Sequence, residues 1–326
     1  MSRLNATMTI KDRKSEPLLP IKTKKKNSLV MDIKKHKYLY MMLIPGILYY
    51  IIFKYIAIGG LVIVFQDYNP FLGFSGSHWV GLDNFKKLFM DPDFYRLLKN
   101  TVILAVYNLV FYFPAPIIVA LLLNEVRNEH FKKLTQTMIY LPHFISWTVL
   151  VGIAYVFLSP QNGLINSILD MNGRETINFL AKEVWFRPLV LIEVIWKETG
   201  WGTIIYLAAL SGVDGQLYEA ATIDGAGRFQ QLWYVTLPAI KGTIIILFIL
   251  RLGNFLDTGF EQIFLMLNSM TRNVGDVFDT YVYQKGLIDG RYSYSTTIGL
   301  FKSVIGFVLI ISANKIANFF EEEGIY

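Results

Sequence analysis

The sequence predicts an all-α protein that crosses a membrane about six times, and three observations predict it. Hydrophobic residues make up 53% of the 326 residues and charged residues only 17%, whereas soluble domains sit near ~25% charged. The apolar residues gather in runs of roughly 20, the length at which a helix crosses a hydrocarbon core of about 30 Å. Basic residues are lopsided: of 31 Lys and Arg, eleven precede Tyr38, the pattern that keeps an N-terminus in the cytoplasm.

The elements follow in order. Residues 1–37 are polar and basic without apolar periodicity, and form a tail that reads as membrane-adjacent rather than as a nucleic-acid-binding arm. The tail is too long for a signal-peptide n-region and no small-residue cleavage site follows, so the first apolar segment is expected to stay as a span. Spans are expected at about 39–65, 101–123, 137–158, 187–209, 238–257 and 297–318. In the first, Tyr38 to Phe53 already covers about 24 Å, which lets Lys54 snorkel at the far interface. With the N-terminus inside, 124–136, 210–237 and the C-terminus are cytoplasmic, and 66–100, 159–186 and 258–296 face out. In the first outer loop Asp83 is placed to cap a short helix whose Phe85, Leu88 and Phe89 share a face, and Asp91-Pro92 breaks it. In the fourth span Glu193 and Lys197 have the i,i+4 spacing of a helical ion pair, and Gly200, Gly202, Ala208 and Ala209 suit close helix packing.

Several chemistries are excluded. The chain has no cysteine, hence no disulfide or thiolate metal site. No Gly-x-x-x-x-Gly-Lys-Ser/Thr loop cradles a triphosphate. His36, His78, His130 and His143 are scattered without metal-ligand spacing, and Glu321 to Glu323 form a charge run. Neither a catalytic constellation, a metal nor a cofactor is expected.

The segment between spans four and five is the most informative. In Tyr218-Glu219-Ala220-Ala221-Thr222-Ile223-Asp224-Gly225-Ala226-Gly227-Arg228-Phe229, Leu217, Ala220 and Ala221 repeat at helical spacing. Gly225 falls where a helix would end in a left-handed cap. Gln230 to Val235 would open a second short helix, with Pro238 separating it from the next span. Physically this is a helix–turn–helix with a small-residue surface able to enter a partner's groove.

Glu-Ala-Ala-x-x-Asp-Gly-Ala, with Leu-Pro twelve residues past Gly225, resembles the coupling loop of binding-protein-dependent ABC importer permeases. The resemblance extends over nearly the whole chain from about Lys37. Phe53-Lys54-Tyr55, Phe65-Gln66-Asp67-Tyr68, Gly81-Leu82-Asp83-Asn84-Phe85, Phe113-Pro114-Ala115-Pro116 and Leu141-Pro142-His143-Phe144-Ile145-Ser146-Trp147 are similar to the oligosaccharide and polysaccharide branch. So are Asp279-Thr280-Tyr281-Val282-Tyr283 and the ending Glu323-Gly324-Ile325-Tyr326. The resemblance implies a type I importer fold in a bacterial cell membrane, with a permease domain over 38–326 and a cytoplasmic coupling loop at 212–238. It also implies a second permease subunit, usually forming a heterodimer, cytoplasmic ABC ATPase subunits and an extracytoplasmic sugar-binding lipoprotein that delivers an oligosaccharide. By match to the motif, Glu219, Ala220, Ala221, Asp224, Gly225 and Ala226 would dock the ATPase.

Candidates for the sugar path are polar or aromatic residues within or beside spans: Asn108, Trp147, Trp196, Trp201, Asn254 and Tyr281. Aromatic faces stack on sugar rings and amides bond hydroxyls, although Trp and Tyr also populate interfaces without a ligand. Rival readings stay open at this point: a membrane enzyme would need an acidic cluster at a membrane face, and a lone secondary transporter would need coupling-ion residues and usually internal repeats.

Overall fold

The computed structural model describes residues 34–319. Residues 1–33 of the expected tail and the family-like ending at 323–326 lie outside the described residues. Within them the protein is helical, as expected, apart from a small antiparallel hairpin of β1 (Gln66–Asp67) and β2 (His78–Trp79), in which Gln66 faces Trp79 and Asp67 faces His78.

The chain divides at Gly60 into two units. The first holds most of α1 (Lys37–Phe65), which contains a π turn at Ile51–Tyr55. From Lys37 to Gly59 this helix buries no residue. A helix apolar all round needs an apolar surrounding.

The second unit comprises α2 (Asp83–Met90), α3 (Pro92–Asn124), α4 (Glu129–Phe144), α5 (Trp147–Leu158), α6 (Leu164–Met171), α7 (Glu183–Ser211), α8 (Gly215–Ile223), α9 (Arg228–Gly253), α10 (Phe260–Met266), α11 (Phe278–Tyr283) and α12 (Tyr292–Phe319). By length and composition α1, α3, α9 and α12 can each cross a membrane, and α4 with α5 makes a fifth crossing if the bent pair counts as one. The sixth expected span lies in α7, 29 residues and about 43 Å long. Its ionisable side chains keep it out of the apolar set, and the fold buries Glu193 and Lys197 against other elements.

Three apolar clusters hold the second unit, and α3 runs through all of them. Phe94 and Leu97 pack with Leu88, Phe278, Tyr281 and Ile298. Leu104 packs with Val151, Phe186, Val190, Ile263 and Met266, and Ala120 with Tyr206, Leu210 and Ile240. Leu104 shares a cluster with Phe186 near the start of α7, and Ala120 shares one with Tyr206 near its end, so α3 and α7 lie side by side in the same direction. Gly202 and Gly200 serve the close packing expected of them: a Cβ on Gly202 would come 2.9 Å from Pro116, and one on Gly200 would collide with the Ile139 carbonyl.

The connecting segments sort to two ends. At the hairpin end, Ser293 accepts from the Tyr68 amide at 2.9 Å, Arg96 donates to the Arg272 carbonyl at 3.0 Å, and Asn268 donates to the Leu180 carbonyl at 2.9 Å. The three loops expected on one side of the membrane thus meet one another. At the other end Arg228 approaches Glu125 at 3.9 Å, joining the two loops expected on the opposite side.

Four expectations need correction. The span expected at 137–158 is broken: α4 and α5 meet at 97°, because Pro142 sits in the tight last turn of α4, Ile145 is extended and Ser146 caps α5 through the Val149 amide at 3.3 Å. The span expected at 238–257 starts at Arg228 and stops at Gly253, and Pro238 does not separate two helices. A π turn at Leu232–Thr236 lies directly before it, so its missing N–H falls where the hydrogen-bond register already shifts. The same device, a π turn at Asn108–Tyr112, precedes Pro114 in α3. Asp83 is the first residue of α2 rather than its cap, and pairs with Lys87 at 2.9 Å. Glu193 and Lys197 each turn to tertiary partners instead of to one another.

Candidate functional site

Polar chemistry gathers at three places: the elbow between α8 and α9, a cluster deep between α9, α11 and α12, and the α4–α5 bend.

At the elbow Asp214 caps α8, accepting from the Gln216 amide at 2.9 Å. The helix ends as the sequence predicts. Gly225 has φ +80°, its amide donates to the Thr222 carbonyl at 3.0 Å, and the Ala226 amide donates to the Ala221 carbonyl at 2.9 Å. Together these are a Schellman closure, which a residue with a Cβ adopts only under strain. Two side-chain contacts fix the angle between the helices: Tyr218 and Thr236 hydroxyls meet at 3.0 Å, and Gln231 donates to Thr222 at 3.0 Å. Glu219, Ala220, Asp224 and Gly225 are exposed, while Ala221 and Ala226 are half-buried on the inner side of the turn. Ile223, Phe229 and Tyr234 are also exposed, so the elbow presents an acidic, small-residue ridge beside apolar surface. Next to it an open apolar groove of about 500 Å³ is lined by Ile118, Leu121, Leu122 and Phe229.

The deeper cluster centres on Lys302 of α12. Its ammonium lies 2.6 Å from Asp257 and is also bonded to Asp279 of α11. The Lys302 side chain is 11% exposed and that of Asp257 58%. A cavity of about 220 Å³ opens here, lined by Asn254, Asp257, Gly299, Lys302 and Ser303.

A third polar group sits at the α4–α5 bend. Lys197 of α7 donates to the carbonyls of His143 at 2.5 Å and Ile145 at 2.7 Å, and its ammonium lies 5.3 Å from the Trp147 ring centre. His143 stacks on Trp201 with centroids 4.4 Å apart and meets Glu198 at 2.9 Å. A buried ammonium here satisfies carbonyls that the bend strips of helical donors. Glu193, one turn back, accepts from Gln262 at 2.8 Å through one oxygen, and its other oxygen has no hydrogen-bond partner.

The six proposed path residues therefore fall in separate surroundings. Trp147 and Trp201 are brought together around Lys197 and His143. Asn254 lines the Lys302 cavity. Tyr281 is buried at the hairpin end, donating to Asp91 at 2.9 Å. Trp196 is half exposed on α7, and Asn108 is buried in the π turn of α3. Sequence reasoning missed Lys302, Asp257 and Asp279. The signal was present: Lys302 is the one charge in the apolar stretch from Thr297 to Ile311, and an ionisable residue at such depth is a functional candidate by default.

A profile of the family "Binding-protein-dependent transport system inner membrane component" matches residues 112–321. The chain belongs to this family. Protein LplB of Bacillus subtilis (strain 168) is 56% identical over 92% of this chain and 94% of its own length. The polygalacturonan/rhamnogalacturonan transport system permease protein YteP of the same organism is 53% identical over 94% of this chain and 95% of its own. Among solved structures, a chain of a bacterial ABC transporter involved in import of the acidic polysaccharide alginate superposes with a TM-score of 0.82 at 40% identity, covering 90% of this chain and 99% of that one. A chain from the alginate ABC transporter in complex with alginate pentasaccharide-bound periplasmic protein gives 0.84 at 39% identity, over 92% and 100%. This inner membrane component is thus a multi-pass transport permease and not an enzyme, with the type I importer fold that the resemblance implied.

Proposed function

We propose that this permease is half of the membrane channel of an ATP-driven oligosaccharide importer, and that uronate-bearing oligosaccharides are its substrates. Relatives named for polygalacturonan, rhamnogalacturonan and alginate support that substrate class. A second, related permease subunit completes the path, an extracytoplasmic lipoprotein delivers the sugar, and cytoplasmic ATPase subunits drive the cycle. The N-terminus lies in the cytoplasm.

The observation that carries the coupling role is the elbow itself. Its exposed ridge of Glu219, Ala220 and Asp224 sits on a helix whose end is fixed by the Gly225 cap and whose angle is fixed by Tyr218–Thr236 and Gln231–Thr222. Small alanines allow close approach to a groove on the ATPase, and Glu219 offers a carboxylate to basic groups there. A rigid elbow passes a push on α8 into α9. Near-complete switching between inward- and outward-open states requires about 5.5 kcal/mol of differential binding, and this elbow would transmit that bias.

The test is co-expression of the chain with its partner permease and ATPase, comparing wild type with Glu219→Ala and Gly225→Pro. Proline cannot reach φ +80° and lacks the N–H that Thr222 accepts. Both changes are expected to lower ATPase co-purification and labelled-oligosaccharide uptake while the two permeases stay paired. Uptake and ATPase retention that survive both changes would sink the coupling role.

A further inference from the structure

We propose that Lys302 is the carboxylate-binding point of the translocation path, and that a uronate of the passing oligosaccharide takes the place of Asp257 on its ammonium. The inference rests on the substrate class proposed above and assigns it to residues.

Depth comes first. Lys302 is ten residues into α12, about 15 Å from Tyr292, half of a hydrocarbon core of about 30 Å. The end of α9 lies deep as well. Gly253 abuts Gly306 so closely that a Cβ there would collide with the Gly253 carbonyl, and Gly306 is the mid-point of the 28-residue α12. The non-helical stretch 254–259 that carries Asp257 therefore starts level with the middle of a spanning helix. Irregular backbone at that depth is tolerated where it is buried in protein or lines a water-filled cavity. Here Asn254, Asp257 and Ser303 are exposed, and the cavity opens among them. Polar groups bare at membrane depth face a path rather than lipid.

The two carboxylates on Lys302 are unequal. Asp279 is on α11 between Phe278 and Thr280, both buried, and its side chain is 21% exposed. Asp257 is on the irregular stretch, followed by Gly259 at φ +89°, and is mostly exposed. The fixed partner stays and the loose one leaves. Exchanging one carboxylate for another keeps the buried ammonium paired throughout, so neither ion is stranded in low dielectric. The exchange is near balance, which suits a site that must release what it binds. Asn254 and Ser303 supply hydrogen bonds for the ring hydroxyls. A volume of about 220 Å³ equals roughly seven waters, the scale of one sugar unit.

The chain has no cysteine, so Ser303→Cys gives it a single thiol. In the complete complex with partner permease, ATPase and binding protein, the rate at which a charged methanethiosulfonate modifies that thiol would be followed by mass spectrometry of this chain. The additions are trigalacturonate or its neutral methyl ester. Trigalacturonate is expected to slow modification at least tenfold and the ester not to. Lys302→Gln should abolish that difference and Lys302→Arg keep it. Asp257→Asn, which loosens the competing carboxylate, should shift protection to lower trigalacturonate concentrations. An unreactive thiol in the Ser303→Cys chain, equal protection by both sugars, or an Asp257→Asn that weakens protection as Lys302→Gln does would each overturn the proposal. The last would mark the cluster as a structural latch. Uptake is measured in parallel. Acid-selective protection without uptake would count against the importer reading and leave this site standing, whereas uptake without selectivity would do the reverse.

Discussion

Lys197 shows how one side chain can hold a broken span. Its ammonium is the donor for two carbonyls at the α4–α5 bend, so Lys197→Met is expected to leave both acceptors unmet in a buried place. A cost of about 1–3 kcal/mol for each is ordinary for such a loss. It should appear as a lower unfolding temperature in detergent, with Lys197→Arg losing less. Asp91 offers a pH-dependent counterpart at the hairpin end. Burial works to raise its carboxyl pKa, but hydrogen bonds from Tyr294 at 2.5 Å, the Asp93 amide at 2.9 Å and Tyr281 at 2.9 Å, together with the charge of Lys285, outweigh it and hold it below the ordinary carboxylate value. A carboxyl depressed in the folded state contributes stability that is complete above its unfolded pKa of about 3.9 and is lost as pH falls through the folded value. Wild type should therefore be more stable than Asp91→Asn at pH 7, with the gap closing below about pH 4. A gap that does not narrow as pH falls below about 4 would contradict this account.

Among the elements, α9 and α12 cross closely, glycine against glycine. Gly306→Ala should force them apart, with an overpacking cost of about 1–3 kcal/mol, measurable as a lower melting temperature of the purified permease. If Gly306→Ala melts with wild type, the two helices have more slack than their contact implies. The sequence made some of this level legible and hid the rest. The Gly225 cap was readable because a left-handed closure is decided within six residues. The bend after Phe144 was not, although Pro142 and Ser146 both signal it, because hydropathy averaged over about 20 residues is blind to direction. The end of α9 was placed four residues late, since Phe255 and Leu256 keep the average apolar beyond Gly253. Glu193 and Lys197 obeyed the helical spacing rule, yet the rule is local and Gln262, 69 residues away, took the carboxylate.

For the molecule as a whole, the exposed apolar surface carries the message. Large apolar residues such as Phe111, Leu122, Ile192, Phe307 and Val308 are exposed on the spanning helices, as a chain that meets lipid requires and as the proposed second permease subunit would use. Co-expression with that proposed subunit should raise the melting temperature in detergent, because a partner that binds only the folded form stabilises it by mass action. An unchanged value across a wide range of partner concentration would argue that this chain stands alone. At this scale the helical, multi-pass character and the sorting of loops to two ends were legible in the sequence from apolar length, while of the six expected spans four are apolar enough to cross alone and a bent pair makes a fifth. What it concealed was the polar interior, since a single lysine among fifteen residues does not lower the apolar average enough to be noticed.

The deep ending of α9 has a consequence for how the protein is made. Asp257 leaves the ribosome 45 residues before Lys302. At about 5–20 residues per second, it waits roughly 2–9 s for its cation. During that interval α9 and the stretch beyond it have neither the α12 glycine to pack against nor a counter-charge. Since α9 is long and apolar enough to cross alone, what waits for α12 is the glycine contact and the pairing of Asp257, not entry into the membrane. Truncation between Gly290 and Lys302 should leave a cysteine introduced at Asn254 open to a charged thiol reagent, and extension past Phe319 should slow its modification.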